Sequence, residues 1–168
     1  MRDAVIEATS GESAGFCEPL QSFAVLEPSA AWLDGRQRDD YSQFGEDGLI
    51  EAVFEKIGTT NQWCFEVGAA DGLFFSNTKR LRDAGWRAVL VEGDPLQADK
   101  CRSSYESSRV HVVSQKIKHD SLDHILAGVG APIRMDFGVI DIDGQDYWAS
   151  MSITPKSMRI GAPTPAKM

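Results

Sequence analysis

A parallel α/β sheet with flanking helices is predicted by three observations. Short apolar runs alternate with helix-length segments, a small-residue turn follows the first run, and an acid closes the second. The first run, Trp63 to Val67, is aromatic or apolar except for Glu66, as expected of a strand covered on both faces. Gly68, Ala69, Ala70 and Gly72 follow at once, residues small enough for the backbone to approach a ligand closely.

Residues 1–40 carry two short apolar stretches broken by Pro19 and Pro28 and end in a polar link, so they are read as an N-terminal extension. The next segment, Y-S-Q-F-G-E-D-G, leads into Leu49, Ile50, Val53, Phe54 and Ile57, one apolar face of a helix that stops at Gly58. Glu46 and Asp47 at its front suit the positive end of the helix dipole. After the small-residue turn a helix is expected from about Ser76 or Asn77, with Leu81 and Ala84 on one side and Gly85 at its end. Ala88–Val91 is the second strand and runs into Glu92-Gly93-Asp94-Pro95, where Asp94 reads as a helix N-cap and Pro95 as the first helical residue. The helix that follows places Leu96, Cys101 and Tyr105 inward, and Val110–Ser114 is the third strand. Ser121 or Asp120 caps a short helix carrying Leu122, Ile125 and Leu126. The fourth strand is read over Phe137–Gly144, its apolar run ending in Asp141 and Asp143.

Spacing decides what the first turn can hold. No lysine follows Gly72, so the turn is not a Walker A loop, and Ala70 interrupts the G-x-G-x-x-G of dinucleotide sites. The form that remains is acid-x-Gly-x-small-x-Gly, beside the bland reading of a tight turn that uses glycine for conformation alone. Glu92, about twenty residues on, stands where the acid that accepts hydrogen bonds from ribose hydroxyls is found in doubly wound folds. Asp141 and Asp143 end their strand where open α/β sheets bind ligands. H-D-S-L-D-H collects nucleophile-like residues, but triads assemble through tertiary folding and no G-x-S-x-G elbow is present. D-I-D-G opens like a calcium loop, yet its glycine comes too early and Ser152 stands where the closing glutamate belongs, so no EF-hand is expected; metal binding by these acids in another form stays open beside the assignment of no metal site.

Y-S-Q-F-G-E-D-G, F-E-V-G-A-A-D-G-x-F-x-S-N-T, V-L-V-E-G-D-P and I-D-I-D-G together resemble the FkbM-type, class I S-adenosylmethionine-dependent methyltransferases over residues 41–148. The resemblance implies a Rossmann-like sheet in which the fourth strand neighbours the first. It also implies S-adenosylmethionine as cofactor, with Glu66, Gly68, Ala70, Asp71, Gly72 and Glu92 at its site, and methyl transfer to a small acceptor, most simply a hydroxyl. Asp141 and Asp143 are the candidate catalytic bases, and His119 is a more distant one. Gln43, Glu46 or Asp47 would support the cofactor from the preceding loop. The family fold continues with further strands, whereas residues 149–168 contain three prolines, no acid and no apolar period. The expectation is therefore an incomplete class I methyltransferase fold with a loose tail.

Charge bounds the partners. A net charge of -8 and a pI near 4.8 disfavour a phosphate-binding surface, so a small-molecule acceptor is expected and nucleic acid is not. No apolar run is long enough to span a bilayer, and no membrane contact is expected. Cys17, Cys64 and Cys101 are odd in number and far apart, which fits a reducing cytoplasm. An unpaired fourth strand would be an open sheet edge and a route to a homo-oligomer. Two other functions stay open: a non-catalytic methyltransferase remnant, and a nicotinamide-dependent oxidoreductase.

Overall fold

The structure, a computed structural model, describes residues 30–118 and 121–142. After a 3-10 turn at Ala30–Leu33 the elements are α1 (Glu46–Ile57), β1 (Trp63–Val67), α2 (Lys79–Asp83), β2 (Arg87–Glu92), α3 (Pro95–Tyr105), β3 (Val110–Ser114), α4 (Ser121–Gly128) and β4 (Phe137–Ile140). The four strands are parallel and lie in the order β3-β2-β1-β4, the Rossmann-like arrangement. The chain divides between Trp32 and Leu33. Arg36 and Arg38 pair with Glu55 and Glu51 of α1, so the polar link before residue 40 belongs to the second unit and not to the extension.

Side chains alternate across a strand, and each face of this sheet finds its own cover. Cys64, Ala88, Leu90, Val110 and Val112 meet Leu81, Trp86 and Cys101, with Ile50, Phe54 and Tyr105 packed against them, so α1, α2 and α3 share one face. Phe65, Val67, Val89 and Val91 meet Leu122, Ile125 and Leu126 of α4 on the other. Glu66 shares the alternation of Cys64 and therefore points toward the α1–α3 face, where it is 4% exposed.

Asp94 caps α3 as its sequence requires, accepting from the N–H groups of Leu96 at 2.8 Å and Gln97 at 3.4 Å. Two expected core positions are corrected. Leu96 is 74% exposed, because Ala98, Cys101 and Tyr105 form the inward stripe of α3 and Leu96 lies on the far side of the helix. Ile57 is 66% exposed at the last turn of α1. The helix after the first turn starts at Lys79 instead of Ser76, because Ser76, Asn77 and Thr78 are bonded to the Glu66 carboxylate.

Ala70 adopts φ 46, a left-handed conformation that an L side chain enters at a cost of about 1–2 kcal/mol. Ala70→Gly removes that strain and gives back about 0.5–1 kcal/mol through the freer unfolded chain. We expect a net gain of up to about 1 kcal/mol, read as a higher urea midpoint at unchanged slope; a lower midpoint would refute it.

Candidate functional site

The chain order reverses between β1 and β4, and at that switch point lies a crevice of about 470 Å³. Val67 and Gly68 contribute from β1, Val91 to Asp94 from β2, Gln115 to Ile117 from the chain leaving β3, and Asp141 and Ile142 from the chain leaving β4. Every contribution comes from a carboxyl end of a strand, because parallel pairing brings these ends to one edge.

The turn after β1 is fastened to β2. Gly68 and Ala69 donate their N–H groups to the Val91 carbonyl at 2.9 and 3.2 Å, and Ala70 donates to Glu92 Oε2 at 2.7 Å. Glu92 Oε1 accepts from the Asp94 N–H at 2.7 Å, so one carboxylate bridges the β1 turn and the β2 turn at the crevice wall. Each oxygen has used one lone pair and retains another for a hydroxyl donor. Asp71 caps its own loop, accepting from Leu73 and Phe74 at 2.9 and 3.1 Å.

The two motif glycines accommodate protein. A Cβ on Gly68 would collide with the carbonyl oxygen of Asp141, whose N–H donates to Val67 at 2.9 Å, so the bare α-carbon lets β4 close against β1. A Cβ on Gly72 would meet Cys101 Sγ at 2.8 Å and the Tyr105 ring at 2.9 Å. The chain beyond the turn thus descends along α3, away from the crevice.

Glu66 is placed elsewhere than the crevice. Its carboxylate accepts from Ser76 Oγ at 2.7 Å, the Asn77 N–H at 3.0 Å and Thr78 Oγ1 at 2.6 Å. Ser76 and Thr78 are buried with it. This anchor ties residues 76–78 to β1 through their hydroxyls and the Asn77 N–H, and the helix begins only at Lys79. Arg82 adds a second hold, donating to the Gly72 carbonyl and to Ser76 Oγ at 3.0 Å while stacking on Tyr105 with 4.8 Å to the ring centre. Sequence reading singled out none of these roles for Ser76, Thr78 or Arg82. The only signal was a lone acid inside a buried strand, which demands donors from somewhere.

The loop before α1 also lies apart from the crevice. Asp47 Oδ2 accepts from the N–H groups of Asp40, Tyr41 and Ser42 at 2.9, 2.7 and 2.8 Å, and from Ser42 Oγ at 2.9 Å. Desolvation raises the carboxyl pKa, but the bonds from Ser42, Tyr41 and Asp40 outweigh it and hold the group below the ordinary carboxylate range. Tyr41 in turn lies under the Lys79 ammonium at 4.5 Å, so the segment braces α2. Gln43, Glu46 and Asp47 line no part of the crevice.

Asp141 stands exposed at the crevice edge, while Asp143, His119 and Asp120 lie outside the described residues. The thiols of Cys64 and Cys101 are pushed up to about 12 and about 11 by burial, which makes both unreactive. Among the described residues no three His, Cys, Asp or Glu side chains are grouped to hold a metal ion. Nor is any helix among them long and apolar enough to cross a membrane.

Fold and crevice together define a Rossmann-like α/β domain with a small-molecule-sized cleft at its switch point. Comparison of the chain with protein-family models, curated proteins and solved structures returns no match.

Proposed function

We propose that this domain binds S-adenosylmethionine in the switch-point crevice and transfers its methyl group to a hydroxyl of a small acceptor, within a reducing cytoplasm. The observation that carries the reading is Glu92, a carboxylate at the crevice wall tied to the motif turn by the Ala70 N–H. Its free lone pairs suit the two ribose hydroxyls. Charge favours the same ligand. Glu92, Asp94 and Asp141 face a single amine, Lys116, so the crevice welcomes a sulfonium and resists the pyrophosphate of a nicotinamide dinucleotide.

When bound, S-adenosylmethionine supplies an electrophilic methyl group. The protein's share is alignment, exclusion of water and removal of the acceptor proton. Asp141 is the described carboxylate at the β4 end of the crevice and is the proposed base, with Asp143 two residues on sharing the assignment by sequence. A second reading, a remnant that binds cofactor without turnover, is favoured by one observation: β4 pairs only with β1 among the described residues. The same open edge is where a second copy of the chain would pair.

Calorimetric titration with S-adenosylmethionine and, separately, S-adenosylhomocysteine tests the reading. Saturable binding is expected, and Glu92→Ala should weaken it by about 1–3 kcal/mol, the usual loss for hydrogen bonds to a charged group. Absence of binding by a folded chain would overturn the enzyme reading. Unchanged affinity in Glu92→Ala would return Glu92 to a purely structural bridge.

A further inference from the structure

The two outer strands of the described sheet, β3 and β4, present unlike edges. In a parallel ladder alternate residues of a strand bond to the same neighbour. The Ala88 N–H bonds to the Arg109 carbonyl and the Gln115 N–H to the Glu92 carbonyl, so on β3 the backbone of His111 and Val113 faces β2 and that of Val110 and Val112 faces outward. Every outward group of Val110 and Val112 is taken. Ser107 Oγ accepts from the Val110 N–H at 3.1 Å, and the Ser107 N–H donates to the Val110 carbonyl at 3.0 Å. Glu106 Oε2 accepts from the Val112 N–H at 2.8 Å, and Arg102 Nη2 donates to the Val112 carbonyl at 3.4 Å. The last turn of α3 and the two residues after it therefore block this edge against a further strand.

The edge of β4 is bare by comparison. The Asp141 N–H bonds to the Val67 carbonyl, which sets the phase: the backbone of Val139 faces β1, and the N–H and C=O groups of Gly138 and Ile140 face outward. Among the described residues none of these four outward groups has a partner. Phe137–Ile140 holds no proline and no charge, and its register against β1 runs without a bulge, so the usual devices that protect an edge are missing from it.

This edge is its own complement. Laid antiparallel against a second β4 with Val139 on the two-fold axis, Gly138 of one copy exchanges both of its bonds with Ile140 of the other, and the reverse pair does the same. All four outward groups of each copy are then met. Because β3 is blocked, each chain has one edge to offer among its described strands, and pairing stops at two.

We propose that the chain forms a closed two-fold dimer by antiparallel pairing of β4 with β4 about Val139, giving one continuous sheet that ends at the two blocked β3 edges. In that register Asp141 of each copy stands across from Phe137 of the other, so each crevice is flanked on its β4 side by the second chain. The dimer is independent of the reaction assigned to the crevice, and its dissociation returns β4 to the sheet edge.

Sedimentation of the full chain over a range of concentrations tests the proposal. The mass is expected to rise from 18.4 kDa toward twice that value and to go no further. Amide exchange at Gly138 and Ile140 should slow in proportion to the dimer fraction, which locates the contact. Val139→Lys sets two ammonium groups against each other across the axis, while the lysine stem covers its half-buried position, and should hold the chain at 18.4 kDa throughout. Should that variant fail to fold, Ile140→Pro carries the test, since it removes an outward N–H and no bond to β1. A mass of 18.4 kDa at every concentration, the result if the chain's own residues take the edge, would overturn the proposal. So would growth beyond the dimer, a dimer that persists in the folded variant, or exchange at Gly138 and Ile140 that ignores concentration.

Discussion

Gly68→Ala is expected to destabilise the domain by about 2–5 kcal/mol, the sum of left-handed strain and overpacking. Gly68 sits at φ 83, and a Cβ there would drive into the Asp141 carbonyl. That oxygen belongs to backbone held by its own bond to Val67, so no flexible side chain can yield. Relief requires β4 to shift away from β1, and the Asp141 edge of the crevice moves with it. Gly58→Ala is the matched control, because Gly58 has φ 74 and open space around the missing Cβ. It should cost only the strain of a backbone conformation that is nearly restricted to glycine, φ 74 with ψ -175, about 1–3 kcal/mol. Urea unfolding of both variants separates the contributions; equal losses would show that the collision is absorbed.

Asp136→Ala should cost about 1–2 kcal/mol, since four donors lose a charged acceptor at once although water reaches them at the surface. The carboxylate stands just before β4 and accepts from the N–H groups of Thr60, Asn61 and Gln62 at 2.8, 2.9 and 2.8 Å, and from the Thr60 hydroxyl. Three consecutive N–H groups turned to one point form an anion nest, filled here by a side chain from the far end of the fold. Desolvation raises this carboxyl pKa, and the bonds from Thr60, Asn61 and Gln62 more than reverse it, leaving the folded value below the ordinary one. The sign follows. Its stabilisation is complete above the unfolded pKa, about 3.9, and fades as pH falls through the lower folded value. The stability gap between wild type and Asp136→Asn should therefore be constant from neutral pH down to about 5 and shrink below about 4. A gap that widens on acidification would contradict the assignment.

Much of the frame was legible. The strands Trp63–Val67 and Val110–Ser114 and the Asp94–Pro95 start of α3 fall where apolar runs and capping chemistry put them. Regular periodicity and local side-chain-to-backbone bonds are properties of neighbouring residues, and a sequence displays them. What it concealed was long-range satisfaction. Glu66 looked like a ligand because a motif places an acid there, yet its donors arrive from Ser76 and Thr78 through an irregular loop. Leu96 looked buried because leucine is apolar, while the small Ala98 faces the sheet and lets α3 pack closely. Glu92 was found by spacing, but its bridge between two turns follows from tertiary pairing of β1 with β2.

The Asp136 nest also sets an order of assembly. Its bonds close a loop of 76 residues, whereas β1 meets β2 through the pair Trp63 and Arg87. Closing the longer loop costs about 1 kcal/mol more chain entropy, because the penalty grows with the logarithm of length. The three strands β1, β2 and β3 can therefore zip from local contacts, and β4 joins a sheet already made. The strand that arrives last, at an edge, is also the first to leave. Amide exchange at Val139 and Ile140 should accordingly outpace that at Val89 and Val91, by opening that leaves the rest of the sheet intact.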